Sequence, residues 1–399
     1  MKLKNKILSI AALCSMSQVV YAIPFTFDGR SLGMGGVSVA TADLAVAAWA
    51  NPAMLTNQRP NDDFSLLIGI GAFVRDNDDL IGDIDDFQDA DDNREDAVDS
   101  GNVPGEAAAL LEMRSIIRGI ESKVIAPEAS GLAAMGIAFD SFAMALSVRS
   151  DAIAGGTVTN LSCDLTQAGC DPNELLSENF NILNIEGVLA TEFGVSFAKD
   201  FSILNHKVSI GVKPKIVDLR SFTFNEAILT ASAGFENISD DENRENLGTF
   251  TTVDLGLAVD LTPSIKLGVN VRNLVTDDFK VGNQTLNFDT TMRIGVAYRN
   301  RFLTIAADYD LLENEPLLAN NAFDSLKTQY LSLGAEFNTF DFMQLRVGAA
   351  QNLASNISGG AKDTLYTAGV GIWLGFNLDI AATFSDNSVG GFVQTGFRF

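Results

Sequence analysis

The stretch "TVDLGLAVDL", residues 252–261, sets Val253, Leu255, Leu257, Val259 and Leu261 at alternate positions, with Asp254, Gly256 and Asp260 between them. Successive side chains of a strand point to opposite faces, so this segment has one wholly apolar face and one that carries carboxylates. A helix would scatter the same residues around its circumference. The period of two therefore predicts a strand that separates an apolar medium from a polar one.

The pattern recurs in both directions from there. "LATEFGVSF" (189–197) sets Leu189, Phe193, Val195 and Phe197 against Glu192, Gly194 and Ser196, and "IKLGVNVR", "MRIGVAY", "LTIAADYD", "LSLGAEF" and "MQLRVGA" behave alike. Fourteen such segments begin near residues 64, 130, 142, 186, 207, 250, 264, 288, 302, 328, 342, 364, 376 and 390. The breaks after even-numbered segments are short, as at Asp140-Ser141 and Thr262-Pro263. Those after odd-numbered ones are mostly long, as at 76–127, 152–184, 221–248, 274–286 and 313–326. An even number of antiparallel strands with short turns at one end and long loops at the other is the arrangement of a transmembrane β-barrel. A soluble sandwich or propeller has no reason to sort its loops by length. The predicted fold is all-β, a 14-stranded antiparallel transmembrane barrel occupying 63–399.

The two faces differ as this requires. Glu192, Lys213, Lys215, Asp254, Lys266, Arg272, Arg293, Asp308, Glu336, Arg346, Asp379 and Arg398 all fall on the side assigned inward, while the opposite side is aliphatic or aromatic. Such charges pair with one another or with backbone inside a lumen before they select anything. Phe, Tyr or Trp flank five of the short turns, in "AFDSFA", "SFAKDF", "AYRNRF", "EFNTFDF" and "WLGF". Aromatic girdles of this kind mark a bilayer interface.

The chain starts "MKLKNKILSIAALCSMSQVVYA". Lys2, Lys4 and Lys6 precede a short apolar run, and Val20-Tyr21-Ala22 offers a cleavage site after Ala22, so residues 1–22 read as an export signal rather than a span. Its removal takes away three lysines and no acid, which leaves a chain already at −24 more acidic still. Nucleic acid is excluded as a partner, because phosphate binding needs clustered Lys and Arg. The final "GGFVQTGFRF" alternates Val393, Phe397 and Phe399 with Gln394, Gly396 and Arg398, and it resembles the terminal strand by which barrel-assembly machinery recognises outer-membrane proteins. Both ends place the protein in the outer membrane of a Gram-negative bacterium, in contact with its lipid.

Residues 23–62 precede the first strand and are small and apolar: "GRSLGMGGVSVATADLAVAAWANPAML" spans 29–55. A periplasmic tail would not carry Leu44, Val46, Trp49, Met54 and Leu55, so the segment reads as a luminal plug. Glycines support this. Gly136, Gly194, Gly211, Gly256, Gly268, Gly295, Gly334 and Gly371 all stand on the inward face near the short-turn ends. Glycine inside a strand commonly marks the close approach of another backbone.

The first long loop opens with twelve acids against Arg75 and Arg94 over residues 75–99. Asp89, Asp91 and Asn93 begin like a calcium loop, but Arg94 stands where Gly is needed and Ser100 where the closing Glu belongs. The stretch reads as a solvated acidic outer loop with no metal site. After it, Leu110, Met113, Ile117, Ile120 and Val124 recur at helical spacing up to Pro127, predicting an amphipathic helix over the barrel mouth. Cys163 and Cys170 lie seven residues apart in one outer loop and, in an oxidising compartment, read as a disulfide. Enzyme readings find no support: His206 is the sole histidine and sits at a short turn, no serine stands in a Gly-x-Ser-x-Gly elbow, and "GMGG" at 33–36 has no strand before it. No cofactor is implied.

The glycine-rich stretch, Asp43, Trp49 and then Asn51-Pro52-Ala53 ahead of a fourteen-strand pattern resemble the FadL-type outer-membrane proteins, and within them the TraF-like barrel family. The resemblance implies that the N-terminal segment is a hatch carrying the Asn-Pro-Ala motif. It also implies passive passage of hydrophobic small molecules of fatty-acid or hydrocarbon type, with sideways exit through a kinked third strand. Only Gly155-Gly156 hints at such a kink, and the pocket residues of fatty-acid transporters have no match here. The alternative is a non-transporting scaffold of a surface secretion or conjugal-transfer machine. Asn51-Pro52-Ala53 should end a short luminal helix and turn the chain toward the first strand.

Overall fold

In the computed structural model the described residues are 28–57, 63–76, 78–120, 123–162, 172–230, 244–276, 278–281, 284–287, 289–314, 327–340, 342–355, 364–386 and 388–399. The export signal and both loop cysteines lie outside them. Sixteen strands occur among these residues: β1 (Phe64–Arg75), β2 (Ala126–Ala138), β3 (Ala143–Thr159), β4 (Ile182–Ile203), β5 (His206–Ala227), β6 (Arg244–Thr262), β7 (Ile265–Arg272), β8 (Asp278–Val281), β9 (Gln284–Asn287), β10 (Thr291–Arg299), β11 (Leu303–Asp310), β12 (Tyr330–Phe340), β13 (Met343–Asn352), β14 (Thr364–Trp373), β15 (Asn377–Ser385) and β16 (Ser388–Arg398). Fourteen of them, all but the β8–β9 hairpin, form one closed antiparallel barrel. It closes where β1 pairs with β16 in the register Ser65 to Arg398. Beyond that register the Phe64 N–H donates to the Phe399 carbonyl at 3.1 Å, and the Phe399 N–H to Phe64 at 3.0 Å. Closure leaves no unpaired strand edge, which a bilayer would not tolerate.

The alternation seen in the sequence becomes an inside and an outside. On β1, Leu66, Ile68 and Ile70 are exposed, and on β13 so are Leu345 and Val347. Between them in sequence, inward residues such as Glu192, Lys213, Asp254, Asp308 and Arg346 are buried. An apolar exterior around a charged interior is the reverse of a soluble domain and suits a hydrocarbon surround.

At the long-loop end the pattern changes. Every residue from Asp151 to Gly156 of β3 is buried, as are Val188, Leu189 and Ala190 of β4. There the strands join an apolar cluster with two helices, Leu80–Asp99 and Val103–Gly119. Three sequence expectations are corrected here. The acidic stretch is a twenty-residue helix rather than a solvated loop, because Leu80, Ile84, Phe87 and Ala90 form an apolar stripe at helical spacing between the carboxylates. The helix after it ends at Gly119, and Pro127 lies inside β2. Gly155-Gly156 likewise proves to be part of β3, not loop. The Gly156 N–H and carbonyl pair with Ile125 at 2.8 and 2.9 Å, and β3 pairs with β4 without a register shift.

Candidate functional site

Residues 28–57 lie inside the barrel, and all of them except Asp43 and Asn57 are buried. We number the helices in chain order: α1 (Gly29–Gly33), α2 (Ala47–Ala50), then the acidic helix as α3 and its successor as α4. A 3₁₀ turn, Pro52–Thr56, follows α2.

Asp28 caps α1. Its Oδ1 accepts from the Arg30 and Ser31 N–H groups at 3.0 Å each, and Ser31 Oγ donates to Oδ2 at 2.5 Å. Burial pushes the Asp28 carboxyl above the usual carboxylate range, against the opposing pull of the Ser31 hydrogen bonds. Arg30 leaves the helix toward the wall, where its guanidinium meets Glu336 in two hydrogen bonds of 2.7 and 3.0 Å and donates to the Thr41 carbonyl. Burial alone would lower the Arg30 pKa, but Glu336 and Asp43 outweigh it and hold the group above its ordinary value. Arg346 extends the network, contacting Glu336 at 2.9 Å and also Asp379.

Asn51 sits at the joint between α2 and the 3₁₀ turn. Pro52 removes the next N–H and forces Asn51 into an extended conformation, φ −169° and ψ 107°. Its Oδ1 accepts from the Ala53 N–H at 3.1 Å. Its Nδ2 donates to the Val39 carbonyl at 2.9 Å and to the Leu257 carbonyl of β6 at 3.1 Å. One side chain thus caps a turn, holds the preceding loop and ties both to the wall. Trp49 is buried among small residues of the same cluster, including Ala143, Ala145 and Ala198. Asp43, at the short-turn mouth, lies 3.7 to 3.9 Å from Arg30, Arg299 and Arg398.

Six of the eight inward glycines face this segment. A Cβ at Gly211 would stand 2.3 Å from Ala53 N and from Pro52 C, and one at Gly256 would stand 2.2 Å from Asn51 Oδ1. At Gly268 it would meet Val39 O at 2.5 Å, and at Gly334 Met34 O at 2.2 Å; Gly136 and Gly295 face Leu44 and Val39. Gly194 and Gly371 do something else: they make room for the Lys213 chain and for Arg346 with Asp379. Two glycines that the sequence reading passed over also touch the segment, Gly348 against Met34 and Gly35, and Gly369 against Gly33. "RVGA" and "TAGVG" carried the signal, and Gly348 is the direct cross-strand partner of Gly334.

The luminal charges pair as follows. Lys215 reaches Glu192 and Asp254 at 3.0 Å each, Lys213 reaches Glu192 at 3.4 Å, and Arg272 reaches Glu192 at 3.0 Å. Lys266 pairs with Asp260 at 2.6 Å. Asp308 accepts from the Ser38 and Val39 N–H groups at 2.7 and 3.0 Å, and Arg293 donates to the Gly36 carbonyl. Buried charges without partners would be prohibitive, so these pairings are the condition for carrying them at all.

Two cavities flank α1. One, about 80 Å³, opens at the short-turn end between Leu44, Leu67, Trp373, Gln394 and Arg398. The other, about 10 Å³, lies toward the long-loop end against Leu32, Phe73, Tyr330, Leu365 and Thr367. Phe73 of this lining packs over Gly390, as Phe392 packs over Gly69 and Gly71, positions where a Cβ would collide with the rings.

Comparison with solved structures finds the same architecture. The Ralstonia pickettii toluene transporter TbuX superposes with a TM-score of 0.54 at 13% identity, covering 94% of this chain and 98% of that one. The P. putida toluene transporter TodX gives 0.54 at 13% identity over 92% and 97%. A Pseudomonas aeruginosa FadL homologue gives 0.53 at 10% identity over 95% and 98%. These likenesses establish the FadL-type barrel fold. No curated protein matches the sequence. The family profile described as "F plasmid transfer operon, TraF, protein" matches residues 48–310, from α2 through the end of β11. That match spans well over half of the sequence, and the chain belongs to this TraF family.

Proposed function

We propose that the protein is an outer-membrane barrel giving passive passage to hydrophobic small molecules, with residues 23–62 as a plug that keeps the lumen closed at rest. The observation that carries this reading is the apolar patch between α1 and the wall. Leu32 of α1 and Phe73, Ala350 and Leu365 of the wall are buried in the lumen beside the Arg75–Glu128 pair, and a route for hydrated solutes has no use for them. The TbuX and TodX structures, described as toluene transporters, share the fold and agree with a cargo of hydrocarbon type. Export would follow cleavage after Ala22, and a Cys163–Cys170 bridge would clip the second outer loop; free thiols in protein isolated without reductant would exclude that bridge.

The test is uptake of radiolabelled toluene and oleate by cells with and without the protein. Faster uptake of either, reduced severalfold by Phe73→Asn with Leu365→Asn, supports the reading. Equal uptake from cells whose barrel is properly inserted overturns it. The second reading, a scaffold for a secretion or transfer machine, draws on the transfer-operon description of the family. Stable co-purification with partner proteins and an empty, cargo-free lumen would favour it.

A further inference from the structure

The helical hairpin at the long-loop end turns an unusual face outward. On α4, Val103 and Leu111 are 69% and 63% exposed, and Pro104, Ala107 and Ala108 are exposed between them. Residues 103, 107 and 111 lie four apart, so they form one continuous apolar stripe rather than scattered exposures. Val98, at the end of α3, is also 48% exposed. The inward stripe of the same helix, Ala109, Met113 and Ile117, is already buried in the apolar cluster with the strands. The outer stripe is thus a second apolar face on a helix whose folding needs only the first.

Beside it runs the acidic face of α3. That helix carries nine carboxylates and one arginine, and the exposed ones nearest the turn are Glu95, Asp96 and Asp99. Arg94 pairs with Asp91 at 2.7 Å, and Lys123 with Asp83 at 2.6 Å. Arg94 also reaches Glu95 at 3.5 Å, which leaves Asp96 and Asp99 as the carboxylates of the tip. Like charges three and four residues apart oppose the helix that holds them.

We propose that the tip of this hairpin is a docking surface for a cationic amphipathic helix, its apolar side on Val103, Ala107 and Leu111 and its lysines or arginines over Asp96 and Asp99. Charge complementarity selects this occupant. A second copy of the chain would set acidic α3 against acidic α3, and a lipid surface with anionic headgroups would be repelled in the same way. A partner without an apolar face would gain only screened surface pairs. A helix joining both features buries the stripe and neutralises the tip at once.

The experiment uses the full chain in zwitterionic nanodiscs and a fluorescein-labelled peptide designed with lysines along one helical face and leucines along the other. Fluorescence anisotropy should show saturable binding that weakens as salt rises. Leu111→Ser with Val103→Ser should weaken it at least tenfold; both positions are exposed, so the fold is not at risk. Asp96→Asn with Asp99→Asn should flatten the salt dependence while retaining part of the affinity. A scrambled peptide of the same composition that binds equally well would overturn the proposal, as would binding indifferent to the serine variants. Sedimentation showing dimers through this face would replace the cationic partner with a second copy.

Discussion

Asp28 and Asn51 show how much of the luminal segment rests on single side chains. The Asp28 Oδ1 takes both cap hydrogen bonds, so Asp28→Asn keeps them and removes the burial penalty on a carboxylate; it should leave the segment as well ordered as before. Asp28→Ala should cost about 1 kcal/mol, the usual value of a lost N-cap, read as faster hydrogen exchange at the Arg30 and Ser31 amides. The pH dependence has a definite sign. A carboxyl whose folded pKa is raised holds its proton more tightly when the segment is docked, so docking weakens as pH rises from the unfolded value through the raised one. Exchange measured at several pH values should follow that direction and flatten in Asp28→Asn. Gly211 offers a steric test. Gly211→Val places carbons against Ala53 and Pro52 and should dislodge the segment, whereas Gly131→Val meets nothing within 4 Å and should be silent. Single-channel recordings would report the first as a raised open probability. At this scale much was legible: Asn51-Pro52-Ala53 as the end of a short helix, and the inward glycines as a set. What could not be read was which glycine served which neighbour. Gly194 clears a path for a lysine two strand-paired positions away, and that depends on rotamers and register.

At the scale of elements, the luminal segment and the outer helices pose different problems. Deleting residues 29–55 should leave a barrel that still inserts, because no strand is touched, but it should conduct ions in planar bilayers where the intact protein stays nearly closed. Equal conductance of the two forms would mean that the segment does not block the lumen. The strands were legible because a period of two over eight or more residues has no helical counterpart, and all fourteen wall strands begin close to where the alternation sets in. Helix α3 was not. Its carboxylates dominate the composition and suggest solvated loop, while the four apolar residues that make it a helix are spread thinly between them. Tertiary burial of Phe87 and Leu80 overrides a sequence whose local charges disfavour any compact form. Of the Ala-rich α2 only the end at Asn51 was legible: four residues cannot hold a helix alone, and the surrounding wall supplies the stability.

For the molecule as a whole, the sorting of loops fixes an orientation that labelling can check. Cysteine placed at Asn93 on the outer helix should react with an impermeant reagent on intact cells, and cysteine at Asp140 in the β2–β3 turn should not; labelling at Asp140 would reverse the orientation. The closure of the barrel carries a consequence for the order of assembly. Ser65 pairs with Arg398 and Phe64 with Phe399, so the last seam joins residues more than three hundred positions apart and is the contact with the steepest entropic cost of loop closure. The luminal segment, meanwhile, rests on the middle of the chain, with Asn51 bonded to Leu257 and Thr56 to Ser209. A curled but open sheet could therefore recruit residues 28–57 before its rim joins, like a ship set in the bottle before the neck is drawn. Once β1 meets β16 the wall around the segment is continuous, so it could leave only through an end of the barrel, and its residence would be kinetic as well as energetic.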